Sequence, residues 1–159
     1  MAYQTSIIAL AFVKKSIDDG NPITQMKLQK LVYFAHGIHL ALDRGALVKE
    51  VFQAWEFGPV IPAIYQEYKL YGRIPITSTD YLEGVEKKNH IVEKLDAEAR
   101  DSIDVTWQNL KYIDALKLSR WTHMEGSPWK ESYRDNVTDI VIPNEKIKAY
   151  FTKKFVVTK

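Results

Sequence analysis

The sequence predicts a mainly α-helical fold, a compact single-domain bundle of about six to seven helices over residues 1–159. Three observations carry this. Apolar residues recur at helical spacing along most of the chain. Turn formers punctuate those stretches at residues 18–22, 43–45, 58–59 and 72. A chain of 159 residues, 46 % hydrophobic, is long enough for one core and short for two.

The first helix runs over residues 5–17, with Ile8, Phe12 and Val13 at helical spacing, and Asp18-Asp19-Gly20-Asn21-Pro22 breaks it. Thr24 is placed as the N-cap of a second helix, and Ile23 before it is placed to touch Leu28 as a hydrophobic staple. Leu28, Leu31, Val32, Ala35, Ile38, His39 and Leu42 share one face of that helix, while Tyr33, Phe34 and Leu40 make the remainder apolar too. A helix apolar around its girth belongs at the centre. Residues 47–57, with Val48, Val51, Phe52 and Trp55, suit a small β-hairpin better than a helix.

Gly58-Pro59 turns the chain into a third helix over residues 61–71, with Pro62 in its first turn and Gly72 as its stop. Residues 73–90 read as a surface excursion. Asp96 caps a fourth helix running towards Leu110, and residues 112–124 form a fifth. Ser127-Pro128 has the form of an N-cap followed by proline at the first helical position, opening a short sixth helix to about Arg134. Asn144 begins the last, with Ile147, Tyr150, Phe151 and Phe155 facing inward.

The 22 basic and 20 acidic side chains nearly cancel, so no overall field draws the chain to nucleic acid or an anionic membrane. The absence of cysteine removes disulfides, thiolate nucleophiles and cysteine-based metal sites, and agrees with the cytoplasm. The apolar stretch at residues 7–13 has no basic residue before it and no small-residue cleavage site after it, so it reads as a helix and not as a signal. No apolar run approaches the roughly 20 residues that span a bilayer.

His36 and His39 stand three apart on a helix, a spacing two metal ligands could share, but no third ligand is near in sequence. Core histidines on an apolar stripe are the better reading. The glycines are scattered singly, so neither a dinucleotide fingerprint nor a phosphate loop can be drawn and no cofactor is expected. Ser127 near His123 and Glu125 could be dressed as a hydrolase, yet proline follows it directly and a helix cap explains it better. The lysines of residues 146–159, interleaved with Tyr150, Phe151 and Phe155, could track a nucleic-acid backbone, but a solvated face near the negative end of a helix dipole has the same composition. Nothing here points to an enzyme.

Three strings go beyond composition: MKLQKLVYFA at residues 26–35, FQAWEFGPV at 52–60 and THMEGSPW at 122–129. Their order and spacing resemble the Panacea-domain (SocA-like) antitoxins of bacteria and their prophages. The one local departure is the extra Gly126-Ser127 before Pro128. The resemblance implies an antitoxin that neutralises a cognate toxin, encoded by an adjacent gene, through direct protein binding. The alternatives are an adaptor that delivers the toxin to an ATP-dependent protease and a DNA-binding regulator of the operon. It implies neither catalysis nor a membrane partner.

For the contact surface the candidates are polar or amphipathic residues beside these strings: Lys27, Lys30 and Tyr33 on the second helix, and Tyr65, Tyr68 and Tyr71 on the third. Leu28, Leu31, Trp55, Pro59 and Trp129 read as scaffold.

Overall fold

The computed structural model describes residues 2–155. Met1 and residues 156–159, the end of the lysine-rich stretch, lie outside the described residues. The first two helices, α1 (Thr5–Asp18) and α2 (Gln25–Ala41), form where their periodicity predicts. The Thr24 hydroxyl accepts from the Lys27 N–H, which stops α2 from fraying at its start. Every residue of α2 from Lys27 to Gly37 is buried, so other elements must cover all of its sides.

The hairpin forms slightly later than predicted, from β1 (Phe52–Trp55) and β2 (Gly58–Val60), paired antiparallel with Trp55 opposite Gly58. Leu47 and Val48, expected at its start, are buried in a connecting segment instead. There Tyr3 donates to the Leu47 carbonyl and accepts from the Lys49 N–H, so the chain's first residues compete for that backbone. Pro59 has no N–H to give a neighbour, and it is tolerated because β2 is the edge of the sheet.

Helix α3 (Pro62–Tyr68) follows, with proline in its first turn, and tightens into a 3-10 turn over Lys69–Tyr71 before Gly72. The excursion beyond it is more ordered than expected. Ile76 is buried and donates its N–H to the Ile23 carbonyl ahead of α2, and α4 (Val85–Glu93) packs along α1.

Helices α5 (Ala97–Leu110) and α6 (Ala115–Thr122) carry aspartate caps, with Asp96 accepting from the Ala99 N–H and Asp114 from the Lys117 N–H. Ser127 caps α7 (Pro128–Ser132) by accepting from the Lys130 N–H. A two-residue strand, β3 (Val141–Ile142), completes a sheet of order β2-β1-β3.

The last helix, α8 (Asn144–Lys154), lies against α2. Gly37 makes that closeness possible, because a Cβ there would run into the Phe151 ring. Around this contact Tyr33, Phe34 and Phe151 meet edge to face at centroid distances of 5.4 to 5.8 Å. The architecture is therefore mainly helical, with eight α-helices and one small sheet among the described residues.

Candidate protein-interaction site

The pairing of Trp55 with Gly58 leaves Glu56 and Phe57 as the two-residue tip of the hairpin. Side chains from three helices hold the backbone around this tip. From α7, the Trp129 indole N–H donates to the Trp55 carbonyl at 2.6 Å. From α6, the Ser119 hydroxyl donates to the Phe57 carbonyl at 2.7 Å. From α2, the Lys30 amine lies 3.4 Å from the Pro59 carbonyl, and the Gln29 amide bonds both ways with Ile61, accepting from its N–H at 2.9 Å and donating to its carbonyl at 3.0 Å.

Gly58 completes the clamp. Its φ of 121° disfavours any side chain, and a Cβ would stand 2.9 Å from the Lys30 Cε and the Thr122 hydroxyl. Ser127 reinforces the same corner, since its hydroxyl donates to the Thr122 carbonyl at 2.7 Å while capping α7. Gly126, with φ of 81°, makes the turn that brings it there. Ser127 therefore serves as cap and brace, with its hydroxyl committed to backbone groups.

The tip's backbone is fixed while its side chains face solvent. Phe57 is 61 % exposed and Glu56 is exposed. Beside them the half-buried Trp55 ring meets Tyr65 of α3 at 5.7 Å, edge to face, and Tyr65 is 41 % exposed. On another side Tyr133 stacks on Trp129 at 4.6 Å. Glu56, Tyr133, Asp135 and Asn136 line a shallow depression of about 370 Å3. Among the described residues neither Glu56 nor Asp135 forms a salt bridge.

Beneath the tip the electrostatics are unusual. Lys30 is only 1 % exposed and has no carboxylate partner among the described residues. Burial alone pushes its ammonium pKa from 10.5 down to about 7. Next to it, burial and then the Lys30 charge lower His123, against the opposing pull of a hydrogen bond to the Glu56 backbone.

The structure separates the six residues singled out for the contact surface. Lys27, Lys30, Tyr33 and Tyr68 are buried, and Tyr71 is half-buried with its hydroxyl donating to the Ser78 carbonyl at 3.2 Å. Only Tyr65 is exposed. The two lysines turn inward because backbone carbonyls await them there: Lys27 donates to the carbonyl of Lys111, the residue that caps the end of α5, at 2.5 Å, and Lys30 reaches Pro59. Glu56 and Phe57 were not singled out. The signal that finds them is the hairpin register, which places them at its tip.

The histidine pair is divided between two structural tasks. His36 Nδ1 accepts from the N–H groups of Leu47 and Val48 at 3.3 and 3.4 Å, so its proton sits on Nε2, which donates to Asn144 at 2.9 Å. His39 bonds Ser102 at 2.8 Å.

Residues 28–130 match the family model described as "Antitoxin SocA-like, Panacea domain". The chain belongs to this family. The Panacea match encloses all the groups that clamp the hairpin, from Gln29 and Lys30 through Ser119 and Thr122 to Trp129. Antitoxin SocA of Caulobacter vibrioides (strain NA1000 / CB15N) is 33 % identical over 111 residues, covering 68 % of this chain and 58 % of that protein. The chain thus spans less than two thirds of the length of this Panacea relative. No solved structure matches the chain. Among the described residues no helix is long and apolar enough to cross a membrane.

Proposed function

We propose that this chain is the antitoxin of a bacterial toxin–antitoxin pair and that it neutralises a cognate toxin, the product of an adjacent gene, by binding it directly in the cytoplasm. Its action is binding and not catalysis. Membership in the SocA-like family and likeness to a relative named Antitoxin SocA support the antitoxin role. The observation that carries direct binding is the hairpin tip, where a rigidly held backbone presents Phe57, with Trp55 and Tyr65 beside it. Rigid aromatic groups at a surface dominate the energetics of protein interfaces, and a tip already ordered loses little entropy on docking.

The test is co-expression with the product of the adjacent gene, scoring growth and co-purification. Rescue with a stoichiometric complex is the expected result. Rescue accompanied by protease-dependent loss of the toxin would replace neutralisation by delivery, and failure to rescue a demonstrably toxic neighbour would overturn the antitoxin reading.

A further inference from the structure

We infer that the tip of the β1–β2 hairpin is the surface on which the toxin docks, with Phe57 as anchor, and that the toxin meets it with an apolar pocket flanked by basic side chains. This rests on the reading of the chain as a toxin-binding antitoxin.

Three observations converge on this face. The first is rigidity. Trp129, Ser119, Lys30 and Gln29 each bond a backbone group between residues 55 and 61, so Phe57 stands on a fixed platform. Leu70 is more exposed, at 85 %, but it sits on the short 3-10 turn after α3, where none of these four side chains bonds the backbone.

The second observation is continuity of apolar surface. Gln53 and Trp55 share the outward face of β1, where the Trp55 indole N–H donates to the Gln53 amide at 2.9 Å and the ring rests against Tyr65. An anchor flanked by further aromatic area is the arrangement found at interface hot spots.

The third is charge. Glu56 at the tip and Asp135, which line the same depression as Tyr133, are both free of salt bridges among the described residues, although the chain as a whole carries a formal charge of +2. Two unneutralised carboxylates beside an aromatic anchor favour a partner offering lysine or arginine and disfavour an acidic one. The depression they line is a place for such a side chain.

The test measures the dissociation constant for the purified product of the adjacent gene, with wild type, Phe57→Ser, the pair Glu56→Gln with Asp135→Asn, and Leu70→Ser. Thermal melts of each variant establish that the fold is kept, which the exposure of all four side chains favours. Phe57→Ser should weaken binding by at least about 30-fold, the size of a 2 kcal/mol hot spot. The charge-neutral pair should weaken binding at low salt and flatten its salt dependence, and Leu70→Ser should bind as wild type. If wild type binds and the tip variants bind equally well with unchanged salt dependence, the surface is elsewhere and this inference is overturned while the antitoxin reading stands. Tip variants that alter self-association and leave toxin binding intact would assign the face to a second copy of the chain, again overturning it. If wild type fails to bind or neutralise a toxic neighbour, the antitoxin reading falls and the inference falls with it.

Discussion

Trp129 and Trp55 are joined by a hydrogen bond of 2.6 Å from the indole N–H of one to the carbonyl of the other, across 74 residues of sequence. The bond ties α7 to the end of β1, and the Trp129 ring is also sandwiched, with His123 edge-on at 3.8 Å and Tyr133 stacked at 4.6 Å. Trp129 thus fixes the hairpin tip through both its polar edge and its faces.

Replacing Trp129 with Phe keeps much of the ring packing but removes the donor. Leaving a part-buried carbonyl unpaired costs about 1–3 kcal/mol, so Trp129→Phe should lower stability by about that amount in urea unfolding. Ser119→Ala, which removes the donor to the Phe57 carbonyl, should cost about 1 kcal/mol. A Trp129→Phe protein as stable as wild type would show that the bond contributes nothing net.

Lys30 makes stability depend on pH in the alkaline direction. Its folded pKa is about 7 against 10.5 for the free side chain, so between those values the unfolded state binds a proton that the folded state does not. Stability therefore rises with pH across this window, by at most about 1.4 kcal/mol per unit, and the penalty for the buried ammonium is fully present below pH 7. Lys30→Met should remove that slope. The check is the difference in unfolding free energy between wild type and Lys30→Met from pH 6 to 10, which should be flat at first and then move in favour of wild type. Parallel curves would mean that Lys30 keeps an ordinary pKa.

Gly58 predicts a local cost without change of chemistry. Alanine there adds a Cβ 2.9 Å from both the Lys30 Cε and the Thr122 hydroxyl, at a φ of 121°. Neither neighbour is free to retreat, since Lys30 is buried and the Thr122 hydroxyl donates to the Ser119 carbonyl at 2.6 Å. Strain and overpacking together should cost about 2–4 kcal/mol. Gly45→Ala is the control, because Gly45 also has positive φ, 85°, but open space around it. Equal losses from the two variants would assign the whole effect to backbone strain.

Helix starts were legible because a cap is a local bond: Thr24, Asp96 and Ser127 each accept from the N–H three residues on. Helix α4 was not, because it begins at Gly84 without a side-chain cap and has no buried residue of its own. Its stability comes from lying on α1, a tertiary effect that no local pattern announces. The same holds for β3, two residues long and paired with β1 from about ninety positions away. The interaction site was half legible. The strings that build it stand out, but lysine is so seldom buried that Lys27 and Lys30 read as surface. Only the enclosure of α2 on all sides turns them inward.

The buried histidines make the protein acid-sensitive. Burial, the main cause for both, lowers His36 and His39 to about 4. The hydrogen bond to Asn144 opposes the shift at His36, and the Arg44 charge adds to it at His39. Between pH 6.5 and 4 the unfolded chain takes up protons that the folded imidazoles refuse, so stability falls as pH falls through that window. Each histidine contributes at most about 1.4 kcal/mol per pH unit. For His36 the conflict is structural as well, because protonating Nδ1 would destroy the acceptor for the Leu47 and Val48 N–H groups. His36→Gln should therefore be less stable than wild type at pH 7, since one amide oxygen replaces the imidazole nitrogen imperfectly, yet lose less stability on acidification. Urea midpoints at pH 7, 5.5 and 4.5 for the two proteins read this directly. Carboxylates titrate in both, so the difference isolates the imidazole. A difference that stays constant with pH would show that His36 does not titrate anomalously and that its role is packing alone.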